Sequence, residues 1–370
     1  LDDLDEIEKA YGFRATGDGL LADATLRASF KAQQVFRFDW AHTLLQDGAV
    51  TAEAWLLLQA CERHRITSHN AIRVFLQEQW MFPAHRRNKG RALWRIFDEW
   101  GEEANNNKDK LACSASELLA LYGLLRHCFE CRLAPDDRIA AEVTSYQCVC
   151  KLVDLILLAK RGSLSLVECG RQLRRAIAEH IQQHTRTYGL DKMRPKNHWA
   201  FDIADFLEIA TWLFDCCIIE RLHLRVKAVA ENCCCNESYE RSVLSGVVNA
   251  HARRASETTM HSTLIGKSAP FPGLANAFIA DHVDMNGLRV SVGDYVFHGI
   301  DTLGQVIACC IEEGEFYVVA EALTFLARLS PRSSRWSQLT THRMVWKACE
   351  LNECLAWQCS PGSSVVVLRM

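Results

Sequence analysis

From Thr51 to Gly189 the chain is patterned as helix after helix, and this long run of 3.6-residue periodicity with readable ends constrains the fold more than any other feature. Thr51 is placed to cap a helix over Ala52 to Arg63, and Thr67 or Ser68 to cap a second helix that Pro83 stops. Ser114-Ala115-Ser116-Glu117 is a capping box, in which a hydroxyl and a carboxylate satisfy each other's main-chain amides, and Leu118, Leu119, Tyr122, Leu125 and Phe129 follow at helical spacing. Ser165-Leu166-Val167-Glu168 repeats that box ahead of a stripe of Leu173, Ile177, Ile181 and His184, and Gly189 stands where a left-handed cap would end it.

On either side the texture changes. Val35-Phe36-Arg37-Phe38 before Asp39, and His198-Trp199-Ala200-Phe201 after Pro195, are short apolar runs that fit strands, although their length leaves helix open. Ser262 to Gly273, with Pro270 and Pro272, has the composition of a linker. Beyond it the period becomes that of strands: Leu288 to Val292, a Gly293-Asp294 turn, Tyr295 to His298, Gln305 to Ile311, a Glu312-Glu313-Gly314 hairpin turn, Glu315 to Ala320, and finally Ser364 to Leu368. Five short strands with tight turns predict a small β-barrel-like module over 284–370, with Ile307, Val318 and Val366 pointing inward and the last strand closing against the meander that starts at Leu288.

Composition narrows the class. With 49% hydrophobic and 24% charged residues, the chain is that of an ordinary globular protein, and no apolar run approaches a membrane span. An intracellular protein without a membrane partner is expected. The acidic, helix-patterned opening from Leu1 lacks the basic flank and apolar centre of a signal peptide and reads as a cut end. Seventeen cysteines, an odd number scattered over apolar helix faces, are expected to be reduced core residues. Cys128-x-x-Cys131 with Cys148-x-Cys150 offers a zinc alternative, but residues two apart on a helix point to opposite sides, and no structural zinc is expected in the chain.

A net charge of −3 gives no global attraction to nucleic acid, so DNA contact would have to come from local clusters. Arg86, Arg87, Lys89 and Arg91 form one, and Arg171, Arg174 and Arg175 another; each also fits a solvated helix face. Two acids stand out for chemistry. Asp39 ends an apolar run, where a strand would deliver its side chain into a crevice, and Glu220 opens a helical stretch that carries His223, Arg225 and Lys227. Phosphoryl transfer to DNA uses hard cations held by carboxylate oxygens, so distant acids must converge in space to perform it.

Three blocks give these acids a context: Asp39-Trp40-Ala41-His42, Met193-Arg194-Pro195-Lys196-Asn197-His198-Trp199, and Glu220-Arg221-Leu222-His223-Leu224-Arg225-Val226-Lys227 followed by Ser238-Tyr239-Glu240-Arg241. In order and spacing they resemble conserved blocks of the large eukaryotic cut-and-paste DNA transposases of the Plavaka and Kyakuja-Dileera-Zisupton type. The resemblance implies an RNase H-like catalytic core of two aspartates and a glutamate that holds Mg²⁺ or Mn²⁺, with a long helical insertion before the glutamate. Asp39 and Glu220 would be the second and third carboxylates and the metal ligands, with His42 and His223 beside them. Arg225 and Lys227 join the basic clusters as DNA contacts.

The expected organisation is mixed and mainly α. An incomplete RNase H-like α/β remnant over 1–50 precedes a helical insertion over 51–190, a return to the core over 191–261, a linker over 262–283 and the β module. Leu222 and Leu224 replace basic or polar positions of the resembled helix, which weakens phosphate contact. The residues before Asp39 are too few for the strands that carry the first aspartate, and Asp2, Asp3, Asp5, Asp18 and Asp23 do not lie on strand-like runs. A nuclear, catalytically inactive transposase derivative that binds DNA weakly is therefore expected. The alternative is a non-catalytic protein of transposon origin that binds DNA, or a protein partner through its β module.

Overall fold

Side-chain caps open four of the α-helices in the computed structural model, which describes residues 38–78, 80–83, 92–133, 136–213, 226–227, 229–231, 239–257, 264–267 and most of 274–369. Helix α1, Ala49–Arg63, starts two residues before Thr51, and Thr51 sits in its first turn with its hydroxyl donating to the Gly48 carbonyl at 2.8 Å. Ser68 caps α2, His69–Gln77, by accepting from the Ala71 amide. That helix stops at Gln77, well before Pro83, because the chain turns so that Met81 exchanges main-chain hydrogen bonds with Trp357. Asp98 caps α3, Glu99–Lys108. The Ser114–Glu117 capping box opens α4, Ala115–His127, with both reciprocal bonds formed.

Helix α5, Ala140–Lys160, is apolar on most of its circumference and lies at the centre of the helical core, packed against α1, α4 and α6. Helix α6, Leu166–Tyr188, capped by Ser165, is amphipathic instead. Its buried stripe runs Cys169, Gly170, Leu173, Ala176, Ile177, His180, His184, which includes three of the four predicted positions; Ile181 is half-buried. Gly189 ends it at φ 90° and ψ 168°, a positive-φ conformation outside the left-handed helical region expected of it.

The stretch expected as a strand at His198–Phe201 is helical. Pro195 stands at the first turn of α7, Pro195–Ile209, where its missing amide costs nothing, and Ala200, Ile203, Ala204 and Leu207 then bury one face against α6. Gly170 makes that contact close: a β-carbon there would lie 2.7 Å from the Ala204 carbonyl oxygen. A further helix, α8, spans Tyr239–Glu257. Among the described residues no named strand precedes Leu264, and Phe38 and Asp39 lead directly into a helical turn over Ala41–Leu45. The strand expected at Val35–Arg37 lies outside the described residues, and no sheet of the expected RNase H-like core occurs among the described residues around Asp39 or in 191–213.

The carboxyl-terminal part is antiparallel β, as its period-2 pattern predicts, but larger than five strands. In order it comprises β1 Leu264–Lys267, β2 Phe278–Ala280, β3 His282–Met285, β4 Leu288–Ser291, β5 Tyr295–His298, β6 Thr302–Glu312, β7 Glu315–Ala322, β8 Thr324–Ser330, β9 Ser333–Ser337, β10 Arg343–Lys347, β11 Leu351–Ser360 and β12 Ser364–Arg369. The linker predicted over 262–283 thus contains β1 and β2, which pair with each other, and the start of β3. Strand β6 is long enough to pair with β2 and β5 as well as β7. The last strand does not close on the meander: β12 pairs with β11 and β9, and only β11 reaches β5. The strand path β1-β2-β6-β5-β11-β12-β9-β8 stays open among the described residues, so the barrel expected from the pattern is not formed by pairing there.

Val318 and Val366 are buried as predicted, while Ile307 is only half-buried. Strands β11 and β12 also pack on α4, and Ala356 and Leu368 belong to the helical core. The β part is docked on the helices through apolar side chains as well as through the Met81–Trp357 bridge.

Candidate functional site

Two of the three blocks meet. Asp39 is 7% exposed, and its Oδ2 accepts from the His42 amide at 2.8 Å and pairs with His42 Nδ1 at 2.7 Å. This is the work of a cap: the short carboxylate satisfies an amide three residues on, at the start of the Ala41–Leu45 turn. From α7, Lys196 Nζ donates to the carbonyl oxygens of His42 at 3.0 Å and Gln46 at 2.9 Å. The Phe38 and Trp199 rings stack beside it, 4.7 Å apart and 12° from parallel. Burial pushes the Lys196 ammonium below its ordinary range, with Asp47 opposing. Asn197 is buried with its amide turned to Met193 Sδ.

The remaining predicted residues divide. Glu220, His223 and Arg225, and the cluster Arg86, Arg87, Lys89 and Arg91, lie outside the described residues. Of the α6 cluster, Arg174 is held by Asp205 and by Glu208 at 3.4 Å, both on α7, and Arg171 pairs with Glu168 at 3.0 Å; Arg175 is exposed. Arg174 therefore acts as a clasp between α6 and α7, its charge matched by two acids. Lys227 is exposed and 3.7 Å from Glu231, one helical turn on.

A second constellation escaped the sequence reading. Glu53 on α1 and His180 and His184 on α6 are each about 1% exposed. Glu53 Oε2 pairs with His180 Nε2 at 3.2 Å and His184 Nδ1 at 2.6 Å. Burial works against the Glu53 charge, but the two imidazoles outweigh it and hold the carboxyl down at about 2. Glu53 Oε1, His184 Nε2 and the Tyr188 hydroxyl, one turn further along α6, are buried without a hydrogen-bond partner. The three ligand atoms lie within 4.8 Å of one another, so the group has the composition and convergence of a metal site. Its sequence signal was present in His180-x-x-x-His184, two imidazoles one helical turn apart on a buried stripe. Glu53, the acid in Ala52-Glu53-Ala54-Trp55, gave none.

A further group joins Glu62, His69 and Glu102 nearer the surface, where His69 Nδ1 lies 2.6 Å from Glu62 Oε1, a partner the sequence did not suggest. Neither group contains a cysteine. Burial pushes the thiols of Cys61, Cys113, Cys150 and Cys169 up to about 12, which suits core residues rather than nucleophiles. No helix among the described residues is long and apolar enough to cross a membrane.

Comparison with known proteins finds no matching family model, no matching characterised protein and no matching solved structure.

Proposed function

We propose that the chain derives from a metal-dependent DNA transposase of the carboxylate-triad kind, and that this polypeptide alone binds DNA weakly without cutting it. The observation that carries the reading is the meeting of the Asp39–His42 and Pro195–Trp199 blocks. They are far apart in sequence, were singled out for the same resemblance, and are joined by Lys196 and the Phe38–Trp199 stack. The helices α1 to α6 fill the interval expected as the helical insertion of the resembled proteins.

Loss of cutting follows from the carboxylates. Asp39 spends Oδ2 on capping His42, and two-metal chemistry needs a further carboxylate that bridges both ions. Two acids such as Asp39 and Glu220 hold Mg²⁺ or Mn²⁺ only loosely, since such ions want several oxygen ligands. DNA contact would rest on Arg86, Arg87, Lys89, Arg91, Arg175, Arg225 and Lys227, with Arg174 committed to Asp205 and Glu208.

A plasmid-nicking assay beside a DNA-binding titration at two salt concentrations tests this, with the wild-type chain and Glu220→Gln. Micromolar or weaker binding that falls as salt rises, with no nicking, is expected. Absence of binding at both salt concentrations removes the nucleic-acid reading and leaves a protein-binding role for the β module. Metal-dependent nicking that disappears in Glu220→Gln overturns the inactivity.

A further inference from the structure

We propose that Glu53, His180 and His184 form a buried structural site for a divalent transition metal ion, zinc foremost, that ties α1 to α6. The proposal is independent of the DNA reading and does not concern the Mg²⁺ or Mn²⁺ expected at Asp39 and Glu220.

The geometry converges on one point. A tetrahedral zinc ion at about 2.0–2.2 Å from nitrogen and oxygen ligands sets those ligands roughly 3.3 Å apart. The 3.2 Å and 2.6 Å separations of His180 Nε2 and His184 Nδ1 from Glu53 Oε2 are close to that spacing, and a small outward rotation of the His184 ring completes it. Both imidazoles come from one face of α6, one turn apart, and the carboxylate comes from α1 opposite.

Hydrogen bonding alone serves this group poorly. Two ring nitrogens crowd onto one carboxylate oxygen, while Glu53 Oε1 has no donor although it is fully buried. A buried acceptor left unsatisfied is costly, and more so when charged. A cation at this point would also balance the buried Glu53 carboxylate. The Tyr188 hydroxyl, buried and unpartnered on the next turn of α6, supplies a further oxygen on the same face, as fourth ligand or as partner of a bound water. Two imidazoles and a carboxylate select zinc, cobalt or nickel over Mg²⁺, which prefers oxygen ligands throughout. Because the ligands are about 1% exposed, the ion is enclosed during folding and exchanges slowly.

The test is metal analysis of the full chain refolded with zinc, together with cobalt substitution. One equivalent of zinc is expected, with the visible bands of tetrahedral Co²⁺ and no thiolate-to-cobalt charge transfer in the near ultraviolet. The equivalent should be lost in His180→Asn with His184→Gln. It should be kept in a variant with Cys131 and Cys148 both changed to Ser, which breaks each half of the cysteine alternative. Where the histidine variant folds poorly, the wild-type chain decides by itself: stripping with a strong chelator under mild denaturation should lower its melting temperature, and zinc should restore it. Less than a tenth of an equivalent after refolding with zinc, a melting temperature indifferent to the chelator, or cobalt spectra dominated by thiolate charge transfer would each overturn the site.

Discussion

The ammonium of Lys196 lies 3.0 Å from the carbonyl oxygen of His42, a contact that spans 154 positions of sequence and fastens α7 to the turn that begins at Asp39. The same nitrogen reaches Gln46 at 2.9 Å, so one side chain serves two carbonyls at the end of a short helical turn. Lys196→Met keeps the apolar stem and removes both bonds. A loss of about 1–3 kcal/mol in urea unfolding is expected, because two main-chain acceptors lose a charged donor. An unfolding midpoint unchanged from wild type would show that water replaces the ammonium freely and that the junction is not held this way.

Between α4 and α5 a buried ion pair is completed on both sides of the carboxylate. Arg126 Nη1 donates to Asp154 Oδ2 at 2.8 Å and the Tyr122 hydroxyl to Oδ1 at 3.0 Å. Burial opposes the Arg126 charge, and Asp154 more than restores it. Asp154→Ala should cost about 3–5 kcal/mol, since it removes the acid that balances a buried guanidinium, whereas replacing both partners by Met and Leu should cost far less. Equal losses in the single and double variants would mean that packing, not charge, sets the cost.

Gly170 sets the distance between α6 and α7. A β-carbon there would stand 2.7 Å from the Ala204 carbonyl oxygen and 2.9 Å from the Glu208 amide nitrogen, both main-chain atoms that yield only if the helix shifts. In an exposed helix interior Gly→Ala stabilises by roughly 0.5–1 kcal/mol, so the sign itself is diagnostic. Gly170→Ala should destabilise, and Gly170→Val more so, with the Arg174 pairs to Asp205 and Glu208 weakened as the helices part. A raised melting temperature for Gly170→Ala would show that α6 and α7 do not approach this closely.

Local chemistry made much of this fold legible. Ser68, Ser114 and Ser165 each cap the helix the sequence assigns to them, because a hydroxyl at that position has one dominant use. His198–Phe201 misled because a run of four residues is too short to show a period, and Pro195 before it stands in the first turn of α7. The sheet was underestimated since strands such as β8 and β9 have exposed or polar faces, and pairing between distant strands leaves no local trace. At the site, Asp39 and His42 were found together because they lie three apart. Glu53 was missed because its partners stand on another helix, 127 and 131 positions away, and only the fold brings them within reach.

The buried cysteines give the chain an alkaline limit. Burial raises the thiols of Cys61, Cys113, Cys150 and Cys169 from 9.0 to about 12, so between those values the unfolded chain releases protons that the folded chain keeps. A proton bound preferentially by the native state stabilises it below the lower value, and that stabilisation drains away as pH rises toward the upper one. Thermal melts should therefore be flat near pH 8 and fall progressively above pH 9. Cys169→Ala, which removes a group whose shift comes from burial alone, should reduce the slope of that fall. At pH 8 the same four thiols should resist iodoacetamide in the folded chain, while the exposed Cys359 alkylates, as peptide mapping by mass spectrometry reads directly. Rapid alkylation of Cys150 in the native protein, or a melting temperature that rises above pH 9, would place these side chains outside the core and undo the account.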